Sequence, residues 1–250
     1  MSITSQLLSL STKLIPNRPI EEIEKQLSGL RSQFDGRLEE FQKDLRQGRG
    51  ELVESVMEHS AGMAGQRWVE FAAGGGEVLR DIGERIELLA RLDLVDTSDE
   101  SLAIARQAVG TGELANVRAV VGDPLTFRPA EPVDVVLLPY CLSTTEDWFT
   151  VVDNAREMLR PGGLVGVVDF YAARGSADPA GARLAGLLPR LMGDGTYASA
   201  DFGPYLKRQF ELVSMDRRAA DIPYVPIGVP YFRFVGRKRS AAEHLPTTAS

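Results

Sequence analysis

The sequence predicts an α/β fold: a doubly wound, mostly parallel sheet of seven strands, with a late antiparallel hairpin and a helical cap at the N-terminus. Three observations predict it. From Trp68 onward short apolar runs alternate with amphipathic segments, the pattern of repeated strand–helix units whose strands are covered on both faces. The first run ends in a glycine turn, Ala72-Ala73-Gly74-Gly75-Gly76, that opens a helix, a Rossmann-like way to leave a strand. Two apolar runs near the C-terminus have only a proline-rich segment between them, which argues for a hairpin rather than another helical crossover.

Taken in order, the chain begins with helices. Ile20, Ile23, Leu27, Leu30 and Phe34 recur at three- and four-residue steps. A second helical stretch carries Leu38, Phe41 and Leu45, then Leu52, Val53, Val56 and Met57, with a break expected at Gly48 and Gly50. Residues 1–65 therefore read as a lid or cap, with plain packing against the sheet edge as the duller alternative. Strands are expected at Arg67–Ala72, Leu92–Asp96, Val117–Val121, Val133–Leu138 and Leu164–Phe170, with helices between them, Glu100–Ala108 among these. Pro161-Gly162-Gly163 stops the helix that ends at Glu157-Met158-Leu159-Arg160. Phe210–Met215 and Tyr231–Val235 form the late pair, which completes a domain over residues 66–239, and 240–250 reads as a disordered tail.

Composition bounds the function. A chain of 250 residues, 44% hydrophobic and 25% charged, can bury a full core and suits one α/β domain with an appendage. A formal charge of −7 disfavours a nucleic-acid partner, whose phosphates would call for a basic face, and suits a neutral or cationic small-molecule substrate. The single cysteine, Cys141, can form no internal disulfide. Neither a signal peptide nor an apolar run of ~18 residues is visible, so a cytoplasmic address without stable membrane insertion is expected. Two histidines and one cysteine with no ligand spacing give no expectation of a metal.

Spacing in the glycine turn selects the nucleoside. A dinucleotide fingerprint with its middle glycine on Gly74 needs glycine at Ala72 and Glu77 and finds neither. The pattern acid-x-G-x-G-x-G, laid from Glu70, finds Ala72, Gly74 and Gly76: the acid and two of the three glycines. S-adenosylmethionine is the cofactor this spacing favours, with a merely flexible loop as the alternative.

In doubly wound sheets the ligand lies beyond the carboxyl ends of the strands, so the strand exits are the candidate site. Asp96, followed by Thr97, ends the second strand 20 residues past Gly76, a distance at which a carboxylate reaches ribose hydroxyls. It could instead cap the next helix, as could Ser98 or Asp99. The third strand exits at Gly122-Asp123-Pro124, where an acceptor could take the adenine amino group or simply make a turn. The fourth exits at Tyr140-Cys141-Leu142-Ser143 and the fifth at Asp169-Phe170-Tyr171. Tyrosine faces attract a sulfonium or an amine, and phenol oxygens can orient a nucleophile; both rings could equally be buried with their hydroxyls satisfied. Cys141 reads as a small buried side chain, and His59 as a solvated or capping residue that could also be a base.

Together, Glu70–Gly76, Leu94-Val-Asp-Thr-Ser98, Gly122-Asp123 and Met158-Leu-Arg-Pro-Gly-Gly163 resemble class I S-adenosylmethionine-dependent methyltransferases over residues 66–239. A narrower likeness is to the betaine-lipid N-methyltransferase family. It is carried by Tyr140-Cys-Leu-Ser143, Asp147-Trp148-Phe149, Gly166-Val-Val-Asp-Phe-Tyr171, Pro230-Tyr-Phe-Arg-Phe-Val-Gly-Arg237 and, upstream, Phe34-Asp35 and Gly48-Arg49. The resemblance implies an S-adenosylmethionine site at Glu70, Ala72, Gly74, Gly76, Asp96, Thr97, Asp123, Pro124 and Tyr140. It also implies an amine or amino-acid nucleophile beside Tyr140, Ser143 and Tyr171, the expected catalytic residues. The chain departs from the pattern at Ala72, at the longer acid Glu70 and at Phe34, where tyrosine is common. No tryptophan occurs between Tyr171 and Tyr205, which argues against a lipid head group as acceptor.

The expected reaction is N-methylation of a small amine. The rival keeps the cofactor and breaks another bond, giving aminocarboxypropyl transfer or closure to azetidine-2-carboxylate with release of methylthioadenosine. A non-catalytic partner that has kept the fold is the alternative from another class. The N-terminal helices could pair two chains in a homodimer or cover the site.

Overall fold

The computed structural model describes residues 43–111, 114–171, 197–220 and 229–240. The expected helices over Ile20–Phe34, the start of the second helical stretch, the proline-rich link 221–228 and the tail from 241 lie outside the described residues. Residues 43–59 form helix α1. Then follow β1 (Arg67–Phe71), α2 (Val78–Ile82) with a 3-10 turn at Gly83–Leu88, β2 (Arg91–Asp96), α3 (Asp99–Thr111), β3 (Val117–Val121) and β4 (Val133–Pro139). A 3-10 turn at Leu142–Thr144 leads into α4 (Trp148–Met158), β5 (Leu159–Phe170), α5 (Phe202–Gln209), β6 (Glu211–Ala220) and β7 (Val229–Arg237).

The seven strands form one sheet in the order β3-β2-β1-β4-β5-β7-β6. β1 to β5 run parallel, while β7 is antiparallel to both β5 and β6. The order reverses between β1 and β4, which places a switch point, and hence a ligand crevice, between the carboxyl ends of those two neighbours.

Side chains alternate across this sheet, so two cores form. Trp68, Val135, Leu137, Val168 and Phe170 face α1 and α2. Val69, Phe71, Val136, Leu138, Val165 and Val167 face α4 and α5. The β5 run is apolar on both faces for that reason.

Helix α1 continues through Gly48 and Gly50 rather than breaking there. Packing overrides the low helix propensity of glycine, because α1 lies close on the sheet. A Cβ on Gly48 would come within 2.9 Å of the Tyr140 hydroxyl, and one on Gly166 of β5 within 2.7 Å of Val56 Cγ2. Leu52, Val53 and Val56 are fully buried at this contact, each worth about 1.5–3 kcal/mol. Arg218 and Arg233 of the hairpin pair with Glu51 from the other side. α1 therefore covers a sheet face, and its N-terminal end reaches the carboxyl edge at Tyr140. Among the described residues no helix is long and apolar enough to cross a membrane.

Candidate cofactor and active site

Where β1 ends, the chain turns through Ala72 (φ 52°), Gly74 (φ 53°) and Gly76 (φ 75°). The two glycines serve different needs. A Cβ on Gly76 would stand 3.0 Å from Ala105 Cβ and 3.2 Å from Leu94 Cδ1, so its absence lets α3 and β2 close on the turn. A Cβ on Gly74 would meet nothing nearer than Glu77 Oε2 at 3.5 Å, so there is room in front of Gly74. Ala72 takes the left-handed conformation with a side chain, at a cost of about 1 kcal/mol. Tyr140 (φ 52°), at the exit of β4, is the second non-glycine residue of this kind among the described residues. Both sit at the switch point, where stored backbone strain accompanies ligand sites.

Glu70 points to the α1 face, by alternation with Phe71, and is buried, with 1% of its surface exposed. Its Oε2 has no hydrogen-bond partner among the described residues. Burial pushes its carboxyl well above the usual carboxylate range; Arg49 opposes the shift, while Glu77, Asp81 and Asp96 add to it. Arg49 reaches in from α1. Its Nε donates to Asp81 Oδ2 at 2.8 Å and its Nη1 to Glu77 Oε2 at 3.2 Å, but Nη2 is buried without a partner. Burial works against this guanidinium's charge, and the Asp81 bond with the nearby Glu70 and Glu77 more than restores it.

Asp96 pins the turn. Its Oδ2 accepts the Gly74 N–H at 2.9 Å and its Oδ1 accepts the Ser98 N–H at 2.8 Å. Ser98, not Asp96, caps α3, its hydroxyl accepting the Ser101 N–H at 3.1 Å. With two of its roughly four lone-pair sites used, the Asp96 carboxylate can still accept two hydroxyls. Thr97 beside it is exposed. The Gly122 N–H donates to the Asp96 carbonyl at 2.9 Å, which ties the β3 exit to the β2 exit. Asp123 is exposed there and turns the chain by accepting the Leu125 N–H at 2.8 Å, while the Pro124 carbonyl takes Asn154 Nδ2 at 2.6 Å.

At the other side of the switch point, Tyr140 is held by three contacts. Its N–H donates to the Val168 carbonyl at 2.7 Å, and its hydroxyl to the Leu45 carbonyl of α1 at 3.0 Å. Its ring lies 5.5 Å from that of Phe170. Asp169, fully buried, accepts the Leu142 and Ser143 N–H groups at 2.8 and 3.0 Å and so closes the turn that follows. Burial raises the Asp169 carboxyl to about 6 against the pull of these bonds and of the Ser143 hydroxyl. Ser143 is buried, and its carbonyl accepts the Tyr197 N–H. Tyr171 packs on the opposite face from Tyr140, its ring edge-on to Phe232 and under the Arg217 guanidinium at 5.5 Å. The structure thus brings Glu70, the glycine turn, Asp96 and Tyr140 to one edge, whereas the rings of Tyr140 and Tyr171 lie on different faces.

Cys141 is buried and burial pushes its thiol up, so it is inert. His59 stands at the far end of α1, its carbonyl taking Arg237 near the start of the β5–β7 ladder, so the strand edge opposite the glycine turn is where it lies. That removes His59 as a base for this site. Arg49, which the sequence reading did not single out as a site residue, is the addition. In the sequence it appears only within the Gly48-Arg49 pair of the betaine-lipid likeness, with no role attached, because no spacing rule ties a residue of α1 to the glycine turn. A surface cleft of about 710 Å³ runs over the solvent side of α1, between Asp81 and the hairpin arginines, and no strand-exit residue lines it. Among the described residues no cluster of three histidine, cysteine, aspartate or glutamate side chains is placed to hold a metal ion.

The chemistry of this edge fits S-adenosylmethionine. A buried carboxylate oxygen lacking a donor suits an ammonium group, the room at Gly74 suits a close backbone contact, and the free lone pairs of Asp96 suit a ribose. The family model for a methyltransferase domain matches residues 69–165, which contain the glycine turn and the exits of β1 to β4. No curated protein matches the sequence. Among solved structures, the YcgJ protein from Bacillus subtilis superposes with a TM-score of 0.61 at 14% identity, over 76% of this chain and 99% of its own. The N-methyltransferase NodS from Bradyrhizobium japonicum, in complex with S-adenosyl-L-homocysteine, gives 0.56 at 17% identity, over 83% and 99%. The [4+2]-cyclase SpnF gives 0.59 at 16% identity, over 77% and 81%. At these identities the likeness is one of fold.

Proposed function

We propose that this chain, an enzyme of the S-adenosylmethionine-dependent methyltransferase class by its domain, methylates the nitrogen of a small amine or amino-acid-like substrate. The observation that carries the reading is the buried, partnerless Glu70 oxygen at a glycine turn whose spacing and fold suit this cofactor. When bound, the cofactor supplies a methyl carbon already activated by positive sulfur. The protein is left with alignment, exclusion of water and the choice of nucleophile.

In this reading Glu70, Gly74 and Gly76 hold the methionine end, with Ala72 shaping the turn. Asp96 and Thr97 take the ribose, and Asp123 and Pro124 the base. Tyr140 and Ser143 orient the acceptor, and Tyr171 borders the acceptor side from the opposite sheet face. Direct attack by a neutral amine needs neither the inert Cys141 nor the distant His59. Of His59 and Glu70, the two side chains considered as bases, Glu70 alone is at this edge, where burial strengthens its carboxyl's hold on a proton. The solved relative that is itself an N-methyltransferase supports nitrogen as the acceptor atom. The likeness to betaine-lipid N-methyltransferases supports an amino-acid-like acceptor, with residues 1–65 as the cap.

The test is product analysis. Pure protein is incubated with S-adenosylmethionine alone and with glycine-like or ethanolamine-like amines. S-adenosylhomocysteine that accumulates only when an amine is present supports the proposal. Methylthioadenosine formed without an amine would transfer the assignment to aminocarboxypropyl chemistry. Neither product, together with no cofactor binding in calorimetry, would support a non-catalytic partner that has kept the fold.

A further inference from the structure

We propose that Arg49 of α1 is the receptor for the cofactor's carboxylate, and that it makes the site selective for donors that carry an intact α-amino acid. The inference rests on the cofactor reading above and adds a residue from outside the methyltransferase-domain match.

Three observations carry it. Arg49 Nη2 and Glu70 Oε2 are both buried and both lack a partner, although the two side chains attract each other. No hydrogen bond or ion pair joins Arg49 to Glu70, while Arg49 does form both with Asp81 and Glu77. A buried cationic donor and a buried carboxyl acceptor left apart in this way are complementary to an amino-acid group, whose carboxylate and ammonium would satisfy each in turn.

Second, the guanidinium is fixed before any ligand arrives. Asp81 and Glu77 hold Nε and Nη1 and leave Nη2 as the free prong, so little ordering is needed on binding. The close seat of α1, permitted by Gly48 and Gly166, sets its depth.

Third, the local charge is unbalanced. Glu70, Glu77, Asp81 and Asp96 act together on one site in which Arg49 is the buried guanidinium, while Arg80, 3.9 Å from Asp81, is exposed. Such a site favours a ligand with net positive charge, and the one anionic group of that ligand has one buried cation to meet. S-adenosylmethionine, with a sulfonium, an ammonium and a carboxylate, has that balance. Its demethylated product has lost the sulfonium charge, so the same field favours product release.

Calorimetric titration of the full chain tests this with two ligands, S-adenosylmethionine and its decarboxylated analogue, and with two variants. The wild type is expected to bind the intact donor about thirtyfold more tightly than the analogue, as for a buried charge-assisted pair. Arg49→Met is expected to lose that preference, binding both within about twofold of each other. Arg49→Lys, which keeps the charge but not the fork, should retain part of it and serves if the methionine variant does not fold. A preference that survives in both folded variants, or that the wild type lacks while binding both ligands, overturns the assignment of Arg49 and leaves the cofactor reading standing. A wild type that binds neither ligand overturns the cofactor reading itself.

Discussion

Replacement of Asp96 by alanine tests the site most directly, because one half-buried carboxylate serves two purposes there. It holds Gly74 at 2.9 Å and Ser98 at 2.8 Å, and in the proposed complex it also accepts ribose hydroxyls. A hydrogen bond to a charged group is worth about 1.5–3 kcal/mol, and water can reach the exposed part of this site, so the lower figure applies to each. Loss of the ribose contact alone then costs about tenfold in affinity. The freed Gly74 N–H leaves the turn to be ordered when the ligand arrives, which brings the expected loss for Asp96→Ala to between about tenfold and a hundredfold. Asp96→Asn keeps one acceptor oxygen but turns a donor toward the other N–H, and should fall between wild type and alanine. Titration with S-adenosylhomocysteine reads all three proteins. An affinity unchanged in the alanine variant would refute both the ribose role and the pinning of the turn.

Two further outcomes follow from packing and burial. Gly166→Ala should destabilise the fold by about 1–3 kcal/mol in urea, because its new methyl would lie 2.7 Å from Val56 Cγ2 and 3.0 Å from Leu137 Cδ2. Gly50→Ala should act with the opposite sign, gaining about 0.5–1 kcal/mol of helix stability, since Asp81 Oδ1 at 3.7 Å is the nearest atom to its Cβ; destabilisation there would contradict the continuous α1. Asp169 sets a pH dependence. Its carboxyl titrates near pH 6 in the folded protein and near 3.8 when unfolded, so its contribution is fully present below pH 3.8 and is lost as pH rises to about 6. Asp169→Asn should start from a lower urea midpoint, as its amide donors face backbone N–H groups, and should lack this component of the slope; identical slopes in both proteins would count against the buried acid.

Much of the fold was legible because it is written in local patterns. The strand at Val117–Val121 has the bounds its apolar run predicts, and those at β1, β2 and β4 differ from expectation by one residue at an end. β6 extends to Ala220, well past the expected Met215, since its later residues Asp216, Arg217 and Arg218 lie on an edge strand where charges pair with Arg233, Glu51 and the Tyr171 face. Hydropathy cannot see such a strand. The expected break at Gly48 and Gly50 failed for a related reason: a glycine that weakens an isolated helix becomes an asset where a phenol hydroxyl needs its space.

What the sequence by itself determined is the doubly wound order of elements, the glycine turn and the set of strand exits, because apolar period and glycine spacing constrain each segment on its own. What only the tertiary structure decided is which side chains meet. Sheet alternation sends Tyr140 and Tyr171 to different faces, Asp96 turns out to hold the backbone of Gly74, and helix α1 carries Arg49 to the turn that begins at Glu70. These meetings join residues far apart in the chain, and long-range packing, not local propensity, fixes their distances.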